Sequence, residues 1–133
     1  MRIVRKDEEL EIMMNMQSTL QKRYYGKCLK ELSPELKVKQ TKEMILCMLD
    51  ELMETMERTP WKHWKKYSKK DFNIKGEELK ELQMEIIDVW HFFMNLCELW
   101  NLDAKTFFNM YVAKNKENFD RFKRGYSASS KIK

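Results

Sequence analysis

The chain has 133 residues, is 43% hydrophobic and 35% charged, and carries a formal net charge of +5. That length builds one domain with its own core, and that composition excludes a disordered chain. No uncharged apolar run reaches the ~18 residues of a membrane span. The three cysteines, Cys28, Cys47 and Cys97, are far apart and lack CxxC spacing, which excludes a disulfide framework and predicts reduced core thiols in a cytoplasmic protein.

The opening MRIVRKDEEL is charged and has no apolar h-region, so no secretory signal is predicted. The first helix is expected from about Asp7 to Tyr25, with Leu10, Met13, Met14, Gln17, Leu20, Gln21 and Tyr24 at helical spacing. Gln17 and Gln21 therefore sit in or beside an apolar stripe, where an amide must find partners, either a ligand or another helix's polar groups. Gly26 is the expected stop. Ser33-Pro34 starts the next helix, with Ser at the N-cap and Pro at the first position. That helix is expected to be interrupted near Val38 and strong from Thr41 to Arg58. Its apolar stripe, Ile45, Met48, Leu49, Leu52, Met53 and Met56, is expected to face the core. Asp50, Glu51, Glu54 and Glu57 fall on the other side, which by itself describes a solvated face.

Trp61 to Gly76 is an aromatic, basic connection, with two Trp, one Tyr and five Lys between Trp61 and Lys70. Loops of that length are more often functional or disordered than idle. Leu79 to Trp100 then has no Pro or Gly and is apolar almost all round in its second half, which predicts a helix buried on most sides. Glu85 shares the sector of Val89, Phe92 and Leu96, with Asp88 beside it. A buried carboxylate costs several kcal/mol unless a cation or hydrogen bonds compensate, so this helix requires either a Lys or Arg from a neighbour or a metal ion. Asn101-Leu102-Asp103 breaks it, with Asp103 as the next N-cap. The last helix carries Phe107, Phe108, Tyr111, Val112, Phe119 and Phe122 as its stripe and stops at Gly125. The expected fold is all-α, a bundle of four to five helices, with one domain over residues 1–126 and a tail over 127–133.

Between Lys114 and Lys133 lie seven bases and two acids, which accounts for the whole net charge. A cationic end on a neutral body suits an anionic partner: a phosphorylated small molecule, a nucleic acid or an acidic surface. Against that end stand two acid pairs at i, i+3, Glu51-x-x-Glu54 and Glu85-x-x-Asp88. The spacing places both members of each pair on one helix face. Two such helices packed antiparallel can converge four carboxylates, which repel unless divalent cations sit between them. All-oxygen ligation suits Mg²⁺ or Mn²⁺, and Mg²⁺ shares phosphate oxygens with substrates. Asp88-x-x-His91 looks like half of a bundle di-iron site, but the other histidine, His63, lacks a carboxylate three residues before it.

These residues resemble the dimeric, all-α dUTP diphosphatases of the MazG-like nucleotide pyrophosphohydrolase superfamily, from about Leu10 to Tyr126. The similar stretches are Met16-Gln17 to Leu20-Gln21, Asp50-Glu51-Leu52-Met53-Glu54, Trp61-Lys62-His63-Trp64-Lys65, Glu85 to Phe92, and Tyr111 with Lys114 to Asn118, Arg121, Gly125 and Tyr126. The resemblance implies Mg²⁺-dependent hydrolysis of dUTP to dUMP and pyrophosphate, with Mn²⁺ able to substitute, by a homodimer. It makes Glu51, Glu54, Glu85 and Asp88 the catalytic and metal-binding acids, with Glu51 orienting the attacking water. It places Gln17, Trp64, His91 and Phe92 around the nucleoside and Lys114, Asn118, Arg121 and Tyr126 on the phosphates. Leu46 to Leu49 is more apolar than that pattern and the region from Glu57 to Glu77 is compact. A dCTP or broader dNTP pyrophosphatase is the second expectation. A basic helical nucleic-acid-binding or regulatory module is the third; the Trp-Lys loop favours it and the four acids disfavour it.

Overall fold

The structure, a computed structural model, describes residues 8–125. Within that span the chain forms α1 (Glu9–Tyr25), α2 (Pro34–Glu57), the one-turn α3 (Lys69–Phe72), α4 (Gly76–Leu99) and α5 (Ala104–Lys123), with a 3-10 turn at Leu29–Glu31. No strand occurs among the described residues, so the fold is the all-α helical bundle that the periodicity predicts. No helix among the described residues is long and apolar enough to cross a membrane. Asp7, Tyr126 and the tail at 127–133 lie outside the described residues.

The helix ends follow the local chemistry. Gly26 takes the left-handed conformation at φ 74°, and its N–H donates to the Lys22 carbonyl at 2.7 Å, closing α1. Ser33 Oγ accepts from the Leu36 N–H at 3.3 Å, with Pro34 opening α2. Asp103 Oδ1 accepts from the Thr106 N–H at 2.8 Å at the start of α5. Two boundaries differ from expectation. α2 runs unbroken through Val38, because its first turn is capped and its one Pro stands at the first position, where no intrahelical hydrogen bond is lost. α4 begins at Gly76 rather than Leu79, since Gly76 and the acids Glu77 and Glu78 tolerate the first turn.

α2 and α4 pack antiparallel in a regular register. Trp100 Nε1 donates to Thr41 Oγ1 at 2.9 Å near one end, and Asn95 Nδ2 faces Met44 Sδ at 3.5 Å. At the other end Arg58 Nη1 reaches Glu81 Oε2 at 2.7 Å. Met44, Glu51 and Arg58 follow one another at seven-residue steps up α2, as Asn95, Asp88 and Glu81 do down α4. That is the spacing by which two helices keep one seam facing the other. Leu29, Leu32, Met44 and Leu99 form the buried core, with Phe92 and Leu96 against it. α1 lies across α4, joined by Gln17 to Asn95 and by Ser18 Oγ donating to Glu98 Oε1.

This seam overturns the expected orientation of α2. The stripe predicted for the core is exposed at Ile45, Leu49, Leu52 and Met53. The line facing α4 runs through Met44 and Glu51 instead, so Glu51 is not on a solvated face. Likewise α4 is not buried on most sides: Met94, Asn95, Cys97 and Leu99 are buried, but Ile86, Ile87 and Trp100 are exposed. On α5, Phe107 packs edge-on against Trp90 and Phe93, at centroid distances of 6.5 and 5.8 Å. Phe108, Tyr111, Val112, Phe119 and Phe122, the rest of the expected stripe, are exposed. The reason is geometric: apolar sectors on several sides of a helix need neighbours on several sides, and one chain gives α2, α4 and α5 fewer.

Candidate functional site

Glu51 and Glu54 stand one turn apart on α2, and the antiparallel seam sets Glu85 of α4 opposite them. Each offers an oxygen within 4.8 Å of the other two. Burial, then the charges of Glu54 and Asp88, push the Glu51 carboxyl up to about 7. Glu54 is raised as well, first by its hydrogen bond to Glu85 and then by that carboxylate's charge. Glu51 Oε2 is buried without a hydrogen-bond partner. Three carboxylates this close are a site of unbalanced negative charge that either protons or a cation relieve.

Glu85 has a counter-charge: Arg58 Nη2 lies 3.2 Å from Glu85 Oε1, and the Glu85 side chain is 14% exposed. The neighbouring cation expected as one solution for Glu85 is therefore present, at the C-cap of α2. It does not reach the other acids. Among the described residues no Lys or Arg forms an ion pair with Glu51 or Glu54. The trio thus combines an orphaned buried oxygen, two raised carboxyls and an all-oxygen donor set. These features fit a hard divalent cation such as Mg²⁺ or Mn²⁺. Asp88 is not one of the converging trio. It lies beside Glu51, acts on its charge and sits 3.9 Å from His91 Nδ1.

An open cleft of about 830 Å³ runs from this cluster toward α1, lined by Gln17, Gln21, Tyr25, Met44, Glu51, Asp88, His91, Phe92 and Asn95, among others. Gln17 is 5% exposed and its Nε2 donates to Asn95 Oδ1 at 3.0 Å. Asn95, 1% exposed, turns its own Nδ2 to Met44 Sδ. A thioether is a weak acceptor and a poor competitor for an amide N–H, so the two amides order each other. Tyr25 donates to Gln40 Oε1 at 3.0 Å on the rim. Gln17, His91 and Phe92 are thus gathered around one cleft, with Glu51 and Asp88 in its wall.

Other expected site residues are not gathered there. Trp64 is exposed, packs edge-on against Trp61 and His63, and does not line the cleft. Lys114, Asn118 and Arg121 are exposed on α5 and also do not line it. Arg121 Nε lies 3.4 Å from Glu117 Oε1, whose carboxyl is lowered chiefly by its hydrogen bond to Arg124. Their separation has a simple cause: α5 leaves α4 at Phe107 and its later turns meet little of the chain. Tyr126 lies outside the described residues. Sequence reasoning missed Asn95 and Arg58. Asn95 is the one amide in a half-helix that is mostly apolar, and that mismatch was its available signal. Arg58 stands seven residues beyond Glu51, the step that returns it to the same seam.

Fold and cluster together define a helical protein with a carboxylate centre built across two antiparallel helices. The dUTPase family model matches residues 9–97, a span holding α1 through most of α4 and all three converging acids. The chain belongs to that family. A curated dCTP pyrophosphatase of Enterobacteria phage LZ5 is 42% identical over 71 residues, covering 50% of this chain and 41% of that protein. Another dCTP pyrophosphatase, of Enterobacteria phage T4, is 34% identical over 71 residues, covering 50% of this chain and 42% of that protein. The match thus spans about two fifths of the length of these curated relatives. No solved structure matches the chain.

Proposed function

We propose that the protein is a Mg²⁺-dependent nucleoside triphosphate pyrophosphohydrolase acting on deoxypyrimidine nucleotides, giving the monophosphate and pyrophosphate. The observation that carries this reading is the convergence of Glu51, Glu54 and Glu85, with Glu51 itself in the wall of the cleft holding Gln17, His91 and Phe92. The family supports dUTP as a substrate, and the relatives named dCTP pyrophosphatase support dCTP. An amide presents a donor and an acceptor, so the Gln17 side chain can meet either pyrimidine edge.

On this reading Glu51, Glu54 and Glu85 hold the cation, with Asp88 completing the acidic wall. Bound Mg²⁺, or Mn²⁺ in its place, supplies charge neutralisation of the triphosphate and polarisation of the reacting oxygens. Glu51, with its carboxyl near neutrality in the metal-free protein, is positioned to hold or take a proton beside the cleft. Gln17, ordered by Asn95, binds the base edge; His91 encloses it; Phe92 packs against the deoxyribose and disfavours a 2′-hydroxyl. Trp64 reaches the nucleoside only if the loop from Trp61 to Gly76 folds over it. Lys114, Asn118 and Arg121 serve the phosphates if α5 meets a cluster across a second chain. The exposed apolar stripes of α2 and α5 favour such a homodimer.

The test is a panel of canonical nucleoside triphosphates plus dUTP, with and without Mg²⁺, read for monophosphate and pyrophosphate. Metal-dependent cleavage of dUTP, dCTP or both, with UTP and CTP poor, supports the reading. Steeply salt-dependent binding of single strands, without cleavage of any nucleotide, would instead support a nucleic-acid module.

A further inference from the structure

We propose that Arg58, held in place by Glu81, is a positioning residue that orients Glu85 toward the cation site. The inference rests on the reading that the carboxylate trio takes a divalent cation.

The chain ends α2 at this point. The Arg58 N–H still bonds to Glu54 and Thr55 carbonyls at 3.3 and 3.2 Å, Thr59 Oγ1 donates to the Met56 carbonyl at 2.6 Å, and Pro60 follows. The Arg58 backbone is therefore tied one turn from Glu54, and its side chain crosses to α4. There Glu81 and Glu85 stand at i, i+4 on one face. One guanidinium spans both: Nη1 to Glu81 Oε2 at 2.7 Å and Nη2 to Glu85 Oε1 at 3.2 Å.

Three acids crowd together here, and their mutual repulsion drives them apart unless something holds them. Glu51 and Glu54 are fixed to one helix, but Glu85 must be brought from another. Arg58 donates one hydrogen bond to Glu85 from the end of α2, beside the hydrogen bond that Glu85 shares with Glu54, and so keeps Glu85 turned toward α2. The guanidinium is 43% exposed and Glu81 54%, so that prong adds little to folding stability; the other prong meets Glu85, whose side chain is 14% exposed. The consequence falls on the geometry of the acids. A planar fork anchored at one prong by Glu81 sets the direction of the other prong. A partner behind a metal ligand commonly governs affinity in this way.

The experiment measures Mn²⁺ affinity of the full chain, by electron paramagnetic resonance of free Mn²⁺ and by calorimetry. The variants are Arg58→Ala, Arg58→Lys, Glu81→Gln and the Arg58→Ala/Glu81→Gln pair, with thermal melts of each metal-free protein alongside. Arg58→Ala should weaken Mn²⁺ binding by roughly 10–100-fold at temperatures where its metal-free melt shows it folded. Arg58→Lys should not restore affinity, because one ammonium lacks the two-pronged fork. Glu81→Gln should weaken binding in the same direction, less than Arg58→Ala, and the double variant should bind like Arg58→Ala alone. Were Arg58→Ala not to fold, Glu81→Gln would carry the test with Arg58 still present. Mn²⁺ binding that is unchanged in these variants overturns the inference and leaves the metal site standing. Tighter binding in Arg58→Ala also overturns it, showing that Arg58 competes with the cation. If the unaltered protein binds no Mn²⁺, the metal reading itself fails and this inference with it.

Discussion

Glu51 carries a sharp electrostatic conflict. Its carboxyl, raised to about 7 from an ordinary 4.5 by burial and neighbouring acids, keeps a proton in the folded protein that the unfolded chain has already lost. A group raised in this way adds stability below its unfolded value, and that stability disappears as pH rises through the folded value. The melting temperature of the metal-free protein should therefore fall between about pH 5 and pH 8, and Glu51→Gln should flatten that slope. Mg²⁺ should restore stability at the alkaline end, because it binds the folded site and takes the place of the proton. Thermal melts across this range, with and without Mg²⁺, check both signs. Asn95 makes a second prediction. Asn95→Leu leaves the buried Gln17 amide without its partner, at a cost of about 1–3 kcal/mol. It should lower kcat/KM for the favoured nucleotide more than it alters Mn²⁺ affinity, since Asn95 touches Gln17 and not the trio.

The helices show what the sequence could and could not convey. Caps were legible because they are local: Ser33-Pro34, Asp103 and Gly26 act within a few residues. The face shared by Glu51 and Glu54 was legible because i, i+3 spacing is local too, whereas Asp88, paired with Glu85 by the same spacing, falls outside the converging trio. The facing of α2 was not. Its most apolar stripe points outward, because a helix amphipathic on two sides buries whichever side its neighbours offer, and period alone does not say which. The seven-residue step from Met44 through Glu51 to Arg58 was the quieter signal. Gln17 needed a partner, but that partner is 78 residues away, and separation of that kind is invisible to local pattern. The clamp on α5 was inferred from charge and resemblance, and the single chain leaves Lys114, Asn118 and Arg121 away from the cleft. Two measurements bear on it. If the exposed stripe of α2 joins two copies, Leu49→Asp should shift sedimentation equilibrium from dimer to monomer. If Arg121 serves the phosphates, Arg121→Ala should lower kcat/KM by on the order of a hundredfold. A change of less than about twofold would assign Arg121 to its pairing with Glu117 alone.

At the scale of the whole molecule, the bundle sets α2 and α4 antiparallel, in a register that brings acids from both into one cluster, and it leaves a cleft toward α1. The central claim is that this cluster is a cation-dependent hydrolytic centre. The most direct measurement titrates Mg²⁺ into the unaltered protein and into Glu54→Gln with dUTP and dCTP as substrates, following monophosphate and pyrophosphate in equal amounts. The account predicts release that saturates with Mg²⁺, is absent with chelator, and falls by at least about a hundredfold in Glu54→Gln, the scale of losing a group that acts on the transition state. Hydrolysis that is indifferent to Mg²⁺, or undiminished in Glu54→Gln, would contradict it.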